Sequence, residues 1–190
     1  MVTALDKNTA LILIDLQNGI VKRKLAAPSK QILEQSNKLI DAFHEANLPV
    51  IFSHVDPSGA NAKNTRKDNT QAAGGEFDSE AIELVKELHR EPQDFVILKH
   101  TWSAFYSTNL DEELRKKNIT GIVLAGISTS IGVEGTARSA AERGYNITFS
   151  KDAVNDSVAE AHQNSLTYIF PRMGEVDDTD AIIAKLKEIK

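Results

Sequence analysis

The 190-residue chain contains no cysteine. That absence excludes disulfides, thiolate catalysis and Cys-ligated zinc or iron–sulfur sites. Positive charge is also scarce: 22 Lys and Arg stand against 27 Asp and Glu, a net charge of -5. A nucleic-acid surface needs a basic face, and the one basic cluster, Lys22-Arg23-Lys24, is short. No apolar run reaches the roughly 20 residues of a membrane span. The opening stretch MVTALDKNTALILIDLQ lacks the basic-then-apolar order of a signal peptide. The expected setting is cytoplasmic, with no nucleic-acid or membrane partner. Neither G-x-G-x-x-G nor a P-loop occurs, so no nucleotide cofactor is supported, and none of any kind is expected. No metal is expected either: His54, Asp56 and His100 could approach one another, but no spacing gathers three ligands.

What the chain does have is alternation. Short β-branched apolar runs at Ala10–Ile14, Pro49–Ser53, Phe95–Lys99, Ile122–Ala125 and Asn146–Ser150 read as strands. Between them, helical periodicity appears over Lys30–Ala46, Ala81–Leu88, Leu110–Lys117, Val133–Arg143 and Ala159–Ile169. Glu175-Val176 reads as a last short strand before a helix over Thr179–Ile189. Strands buried on both faces and separated by helices imply a parallel sheet with right-handed crossovers. One domain spanning 1–190 is expected. The stretch from Asp56 to Gly75, rich in Asn, Gly, Ala and Lys, resists the pattern and reads as a flap beside the site or a subunit contact.

In such sheets ligands bind at the carboxyl ends of the strands. Those ends carry Asp15 and Gln17, Ser53-His54, Lys99-His100, and the turn Gly126–Gly132. A carboxylate closing an apolar strand has its pKa perturbed by burial, and a lysine beside it poises the pair for proton transfer. The bland alternative is a strand-end ion pair. The turn opens a helix whose first amides can hold an oxyanion, although every strand–helix connection needs a similar turn. Ser130, Asp152 and His162 follow the chain order of an α/β-hydrolase triad, but Ser128 stands where the nucleophile elbow needs its first glycine. Trp102, Phe105 and Tyr106 can wall a small apolar pocket, with core packing the rival reading, strongest for Phe105.

The stretches ALILIDLQNGIV, VILKHTWSAFYSTNLDEELRKKNITGIVLAGISTSIGVEGTARSAAERGYNITFSKDAV and AHQNSLTYIF together resemble the isochorismatase-like hydrolases, a superfamily with the cysteine hydrolase fold. The resemblance implies a three-layer α/β/α fold around a six-stranded, parallel, doubly wound sheet in the order 3-2-1-4-5-6. It also implies a non-proline cis peptide at Ile127–Ser128 and a homo-oligomer, at least a dimer. Most members use an Asp–Lys–Cys triad; here Asp15 and Lys99 match and the cysteine falls on Gly132. Authentic isochorismatases also lack that cysteine and carry Ile-Gly at this place. They hydrolyse a vinyl ether, the aspartate protonating the enolpyruvyl carbon. The resemblance therefore assigns the catalytic positions to Asp15, Lys99 and Gly132, acting on a small molecule. Substrate contacts are expected from Gln17, His54, Trp102, Phe105, Ile127, Ser128, Thr129 and Ile131, with Arg66 a further candidate for a carboxylate. Two alternatives stay open: amide hydrolysis of the nicotinamidase or carbamoylsarcosine amidase type by a non-Cys route, and a non-catalytic pseudo-hydrolase that binds a small ligand.

Overall fold

A computed structural model describes residues 1–58, 66, 68 and 78–189. Six strands form one sheet in the order β3-β2-β1-β4-β5-β6, every neighbouring pair parallel. They are β1 Thr9–Ile14, β2 Val50–Val55, β3 Phe95–Lys99, β4 Gly121–Ile127, β5 Asn146–Asn155 and β6 Glu175–Asp177. The helices are α1 Asn18–Val21, α2 Ser29–Glu45, α3 Ser79–Ile82, α4 Leu110–Lys116, α5 Glu134–Glu142, α6 Ala159–Asn164 and α7 Thr179–Leu186. A π-helical turn, Thr129–Val133, leads into α5.

The central strands explain their own sequences. Every residue of β1 and β4 is buried, because helices cover both faces and no position needs to be polar. On one face Leu11, Leu13, Phe52 and Val123 pack under Leu39 and Phe43 of α2 and Ile182 of α7. On the other, Ile12, Ile14, Ile122 and Leu124 pack under Leu114 of α4 and Ala137 and Ala140 of α5. Alternating residues of one strand thus feed two cores. Gly126, with φ at 116°, lets the end of β4 press against β1: a Cβ there would fall 2.1 Å from the Ile14 carbonyl oxygen.

Two elements depart from the sequence reading. The helical pattern over Ala81–Leu88 holds for only one turn, since Glu83 is already extended. From there the chain runs beside the end of β1. The Glu83 carbonyl accepts the Asn18 amide, the Leu16 carbonyl accepts the Val85 amide, and Leu84 bridges Gln17. These tertiary hydrogen bonds replace the helical ones, while Val85 and Leu88 still reach the core. The second departure is in β5, which continues past Ser150 to Asn155. Its pairing with β4 shifts register between Leu124 and Gly126. The irregularity hides the strand's length in the sequence and moves its carboxyl end from Ser150 to Asn155, beside Asp156. Most of the Asp56–Gly75 stretch, and so the flap or contact expected of it, lies outside the described residues. No described helix is long and apolar enough to cross a membrane.

Candidate active site

The sheet register brings the chemistry together. Ile14 pairs with Ser53 on one side and Gly126 on the other, so Asp15 leaves β1 between the ends of β2 and β4. Its backbone adopts the left-handed region, φ 53°, which costs on the order of 1 kcal/mol in a non-glycine residue. The carboxyl is buried, with Asp15 only 4% exposed. Lys99, 1% exposed at the end of β3, donates from Nζ to Asp15 Oδ2 at 2.7 Å and to the Thr101 carbonyl at 3.0 Å. Ser53 Oγ donates to Asp15 Oδ1 at 3.3 Å. Burial raises the Asp15 pKa above its ordinary value; the opposing effects of the Lys99 charge and of hydrogen bonds from Lys99 and Ser53 are smaller.

Gly132 closes the site from the other side. A Cβ built on it would lie 2.8 Å from Ile14 Cγ2 and 3.3 Å from Asp15 Oδ2. A side chain there would crowd both Ile14 and the carboxyl, so glycine lets the turn close tightly over Asp15. Asp15, Lys99 and Gly132 meet in one place.

The other expected contacts divide. Trp102 is 63% exposed, and its Cβ would sit 3.2 Å from a Cβ on Gly135 in α5, so it stands on the surface beside that helix. Ile131 is 40% exposed. His54 is half-buried and its Nδ1 donates to the Ile82 carbonyl at 3.0 Å. The Ile127–Ser128 peptide is cis. The Ile127 side chain is buried in the core, and its carbonyl oxygen would lie 3.7 Å from the missing Cβ of Gly132. Arg66 is exposed.

Three expectations need correction. Gln17 is fully buried with its amide saturated: Nε2 donates to the Val55 and Ala81 carbonyls, and Oε1 accepts the Val55 amide at 2.7 Å. It brackets the ends of β1, β2 and α3 and has no polar atom left for a substrate. Phe105 is buried and packs against Tyr145, ring centroids 5.8 Å apart, and under Arg143, both at the amino end of β5. It is a core residue. The amides of the turn, expected to face an anion, are largely occupied within the protein. Ser130 N donates to Asp156 Oδ2 at 2.8 Å, while Ile131 N and Val133 N both donate to the Ser128 carbonyl.

The hydrolase-triad alternative also fails on geometry. Ser130 Oγ donates to Asp156, His162 Nδ1 lies 2.8 Å from Thr129 Oγ1, and Asp152 accepts from Ser150 and Thr179. No two of the three triad candidates bond each other. Burial lowers the His162 pKa, with Asp156 pulling the other way. Asp156 itself was missed by sequence reasoning; the usable signal was a carboxylate two residues beyond Val154, had the full length of β5 been visible. Among the described residues, no three or more His, Cys, Asp or Glu side chains are gathered so as to hold a metal ion.

Comparison with known proteins decides the family. A model of the isochorismatase domain matches residues 9–181. The chain belongs to the isochorismatase family. YwoC, an isochorismatase family protein of Bacillus subtilis, is 38% identical over 183 residues, covering 95% of each chain. The structure of an isochorismatase family protein from Burkholderia thailandensis superposes with a TM-score of 0.92 at 37% identity, covering 98% of this chain and 100% of the other. Relatives named for an activity fall in two groups. The isochorismatase of Bacillus subtilis is 31% identical over 96% of this chain and 59% of its own length. A ureidoacrylate amidohydrolase, RutB of Acinetobacter baylyi, is 30% identical over 93% of this chain and 83% of its own. The family and these relatives make the chain an isochorismatase-family hydrolase.

Proposed function

We propose that the chain hydrolyses an enol (vinyl) ether, isochorismate being one example, with Asp15 as general acid and no covalent intermediate. The observation that carries the proposal is the buried Asp15 carboxyl, bonded to Lys99 and faced by Gly132, which has no side chain to serve as a nucleophile. A glycine cannot attack a carbonyl, so in this reading the acid itself starts the reaction. The raised pKa of Asp15 supports the same role, since a general acid must hold its proton near the working pH.

The steps balance without an added reagent. Asp15 gives its proton to the terminal methylene carbon of the enol ether, leaving an oxocarbenium ion. Water adds to the oxygen-bearing carbon of that ion, forming the hemiketal, and returns a proton to the Asp15 carboxylate. The hemiketal collapses to a ketone and an alcohol. Lys99 holds the carboxyl in place through its 2.7 Å bond and stabilises the anion left after proton transfer. The amides of Ser130, Ile131 and Val133 are taken within the protein, which fits a reaction that builds no acyl oxyanion.

A homo-oligomer, at least a dimer with an apolar interface near the site, belongs to the same proposal. Its support is the exposure of Trp102 and Tyr106 behind β3. Sedimentation at micromolar concentration should give a dimer or larger, and a monomer would refute it. The activity is tested by a panel of vinyl ethers and amides assayed with the wild type and Asp15→Asn. Vinyl-ether turnover lost in the variant supports the proposal. Amide turnover alone favours the amidase reading, and binding without turnover the pseudo-hydrolase.

A further inference from the structure

Asp156 is a buried carboxylate with no role in the proton transfer above. It is 1% exposed and, among the described residues, forms no ion pair. Burying a charge is costly unless hydrogen bonds replace its water, and here they do. One oxygen, Oδ2, accepts both the amide and the hydroxyl of Ser130 at 2.8 Å, and Oδ1 accepts the Val158 amide at 3.2 Å. The residue is itself fixed from behind. Its carbonyl accepts the Ala26 amide at 2.7 Å, and its own amide donates to Asn155 Oδ1, which also accepts from Ala27.

The turn it grips has no side-chain cap of its own, since Ser128 makes no capping bond. Asp156 supplies the cap from another strand. Two bonds from one oxygen to the backbone and side chain of the same residue fix both the place and the orientation of Ser130, two residues before Gly132. Thr129, the preceding residue, is tied separately to His162. Asp15 and Asp156 end the two strands that flank β4, so the turn is held between them.

We infer that Asp156 is a positioning residue: by gripping Ser130 it keeps the Gly132 turn closed over Asp15. The inference rests on the reading of Asp15 and Gly132 as the site, but its test needs no substrate. With the grip lost, the turn lifts, water reaches the Asp15 carboxyl, and its titration midpoint falls towards the ordinary value.

The experiment is a carbon-13 NMR titration of the Asp15 carboxyl in wild type, Asp156→Ala, Asp156→Asn and Ser130→Ala, with thermal unfolding of each. Asp156→Ala removes all three bonds and should lower the midpoint by about one pH unit. Asp156→Asn keeps an oxygen for Ser130 and should recover more than half of that shift, which shows that the acceptor rather than the charge matters. Ser130→Ala removes one bond and should lie between Asp156→Asn and Asp156→Ala. A variant that merely loosens the fold would melt earlier with the Asp15 midpoint in place. A midpoint within about 0.2 pH unit of wild type in Asp156→Ala overturns the inference. Should that chain fail to fold, the same result in Ser130→Ala overturns it. Kinetics give a second reading: kcat about tenfold lower in Asp156→Ala with KM little changed, as misplacement predicts. Absence of vinyl-ether turnover in the wild type would sink the proposed reaction and leave the titration to judge Asp156 alone.

Discussion

Asp15 and Asp156 are both buried carboxylates at carboxyl ends of neighbouring parts of the sheet, on either side of β4, yet they are held in different ways. Asp15 has a cation at 2.7 Å, a strained backbone and a glycine, Gly132, packed beside one oxygen. Asp156 forms no ion pair among the described residues, and its oxygens are taken by amides and a hydroxyl from Ser130 and Val158. Burial alone therefore does not mark a reactive acid. In the proposed reaction the acid is the carboxyl paired with a lysine and faced by a glycine, while the saturated one holds the frame.

The comparison breaks most visibly if the wrong carboxylate is removed. Asp15→Asn keeps shape and loses the proton, and should lower vinyl-ether turnover by about a thousandfold, within the range for a general acid. Initial rates on purified, folded variant check this; turnover within about tenfold of wild type would show that Asp15 is not the acid.

Next in size is the Gly132 position. Gly132→Ala puts a methyl 2.8 Å from Ile14 Cγ2 and 3.3 Å from Asp15 Oδ2. We expect turnover to fall by about a hundredfold, because small misplacements at a reacting centre are that costly. Overpacking should also lower stability by about 1–3 kcal/mol, read by urea denaturation. Gly132→Cys separates two histories of the position. Lost vinyl-ether turnover without gained amidase activity fits a glycine that shapes the pocket. Gained amide hydrolysis fits a relic of a cysteine enzyme. Unchanged vinyl-ether turnover would refute the pocket role of this glycine.

A smaller effect appears in the pH dependence of stability. Because burial raises the Asp15 pKa, the native chain keeps a proton that the unfolded chain has already lost between the ordinary and the raised value. The contribution of Asp15 is therefore fullest below the ordinary carboxylate value and declines as pH rises through the raised one. Urea unfolding across that window should show the stability of wild type falling relative to Asp15→Asn as pH increases. A relative rise would mean that Lys99, not burial, sets the pKa.

The smallest effect lies on the far edge of the sheet. The Val2 amide donates to Asp177 Oδ2 at 2.8 Å, and that bond is the main reason the Asp177 pKa is lowered. One bond at a partly buried sheet edge is at stake, so Asp177→Asn should cost about 1 kcal/mol and leave turnover unchanged. A larger loss of activity would show that the two ends of the sheet are coupled.

Much of this was legible in the sequence where one local signal dominated. The apolar runs TALILI and GIVLAGI mark strands covered on both faces, and the sheet order followed from alternation and resemblance. Asp15, Lys99 and Gly132 were visible as strand-end residues and do meet. What stayed hidden depends on partners distant in sequence. Gln17 looks like a polar group awaiting a ligand until Val55 and Ala81 are seen to saturate it. Phe105 turns away from the site because Tyr145 and Arg143 offer it a packing surface. Asp156 was invisible because an irregular pairing extends β5 beyond its apolar run, and its partner Ser130 lies 26 residues away in the chain.

The central claim, proton transfer from Asp15 to carbon with no protein nucleophile, is tested most directly by isotopes. A vinyl ether is hydrolysed by the wild-type protein in deuterium oxide enriched in oxygen-18, and the products are read by NMR and mass spectrometry. The account predicts one deuterium in the new methyl group of the ketone, no oxygen-18 in the alcohol, and no covalent adduct on the protein. Oxygen-18 in the alcohol, or a trapped adduct on the chain, would contradict it.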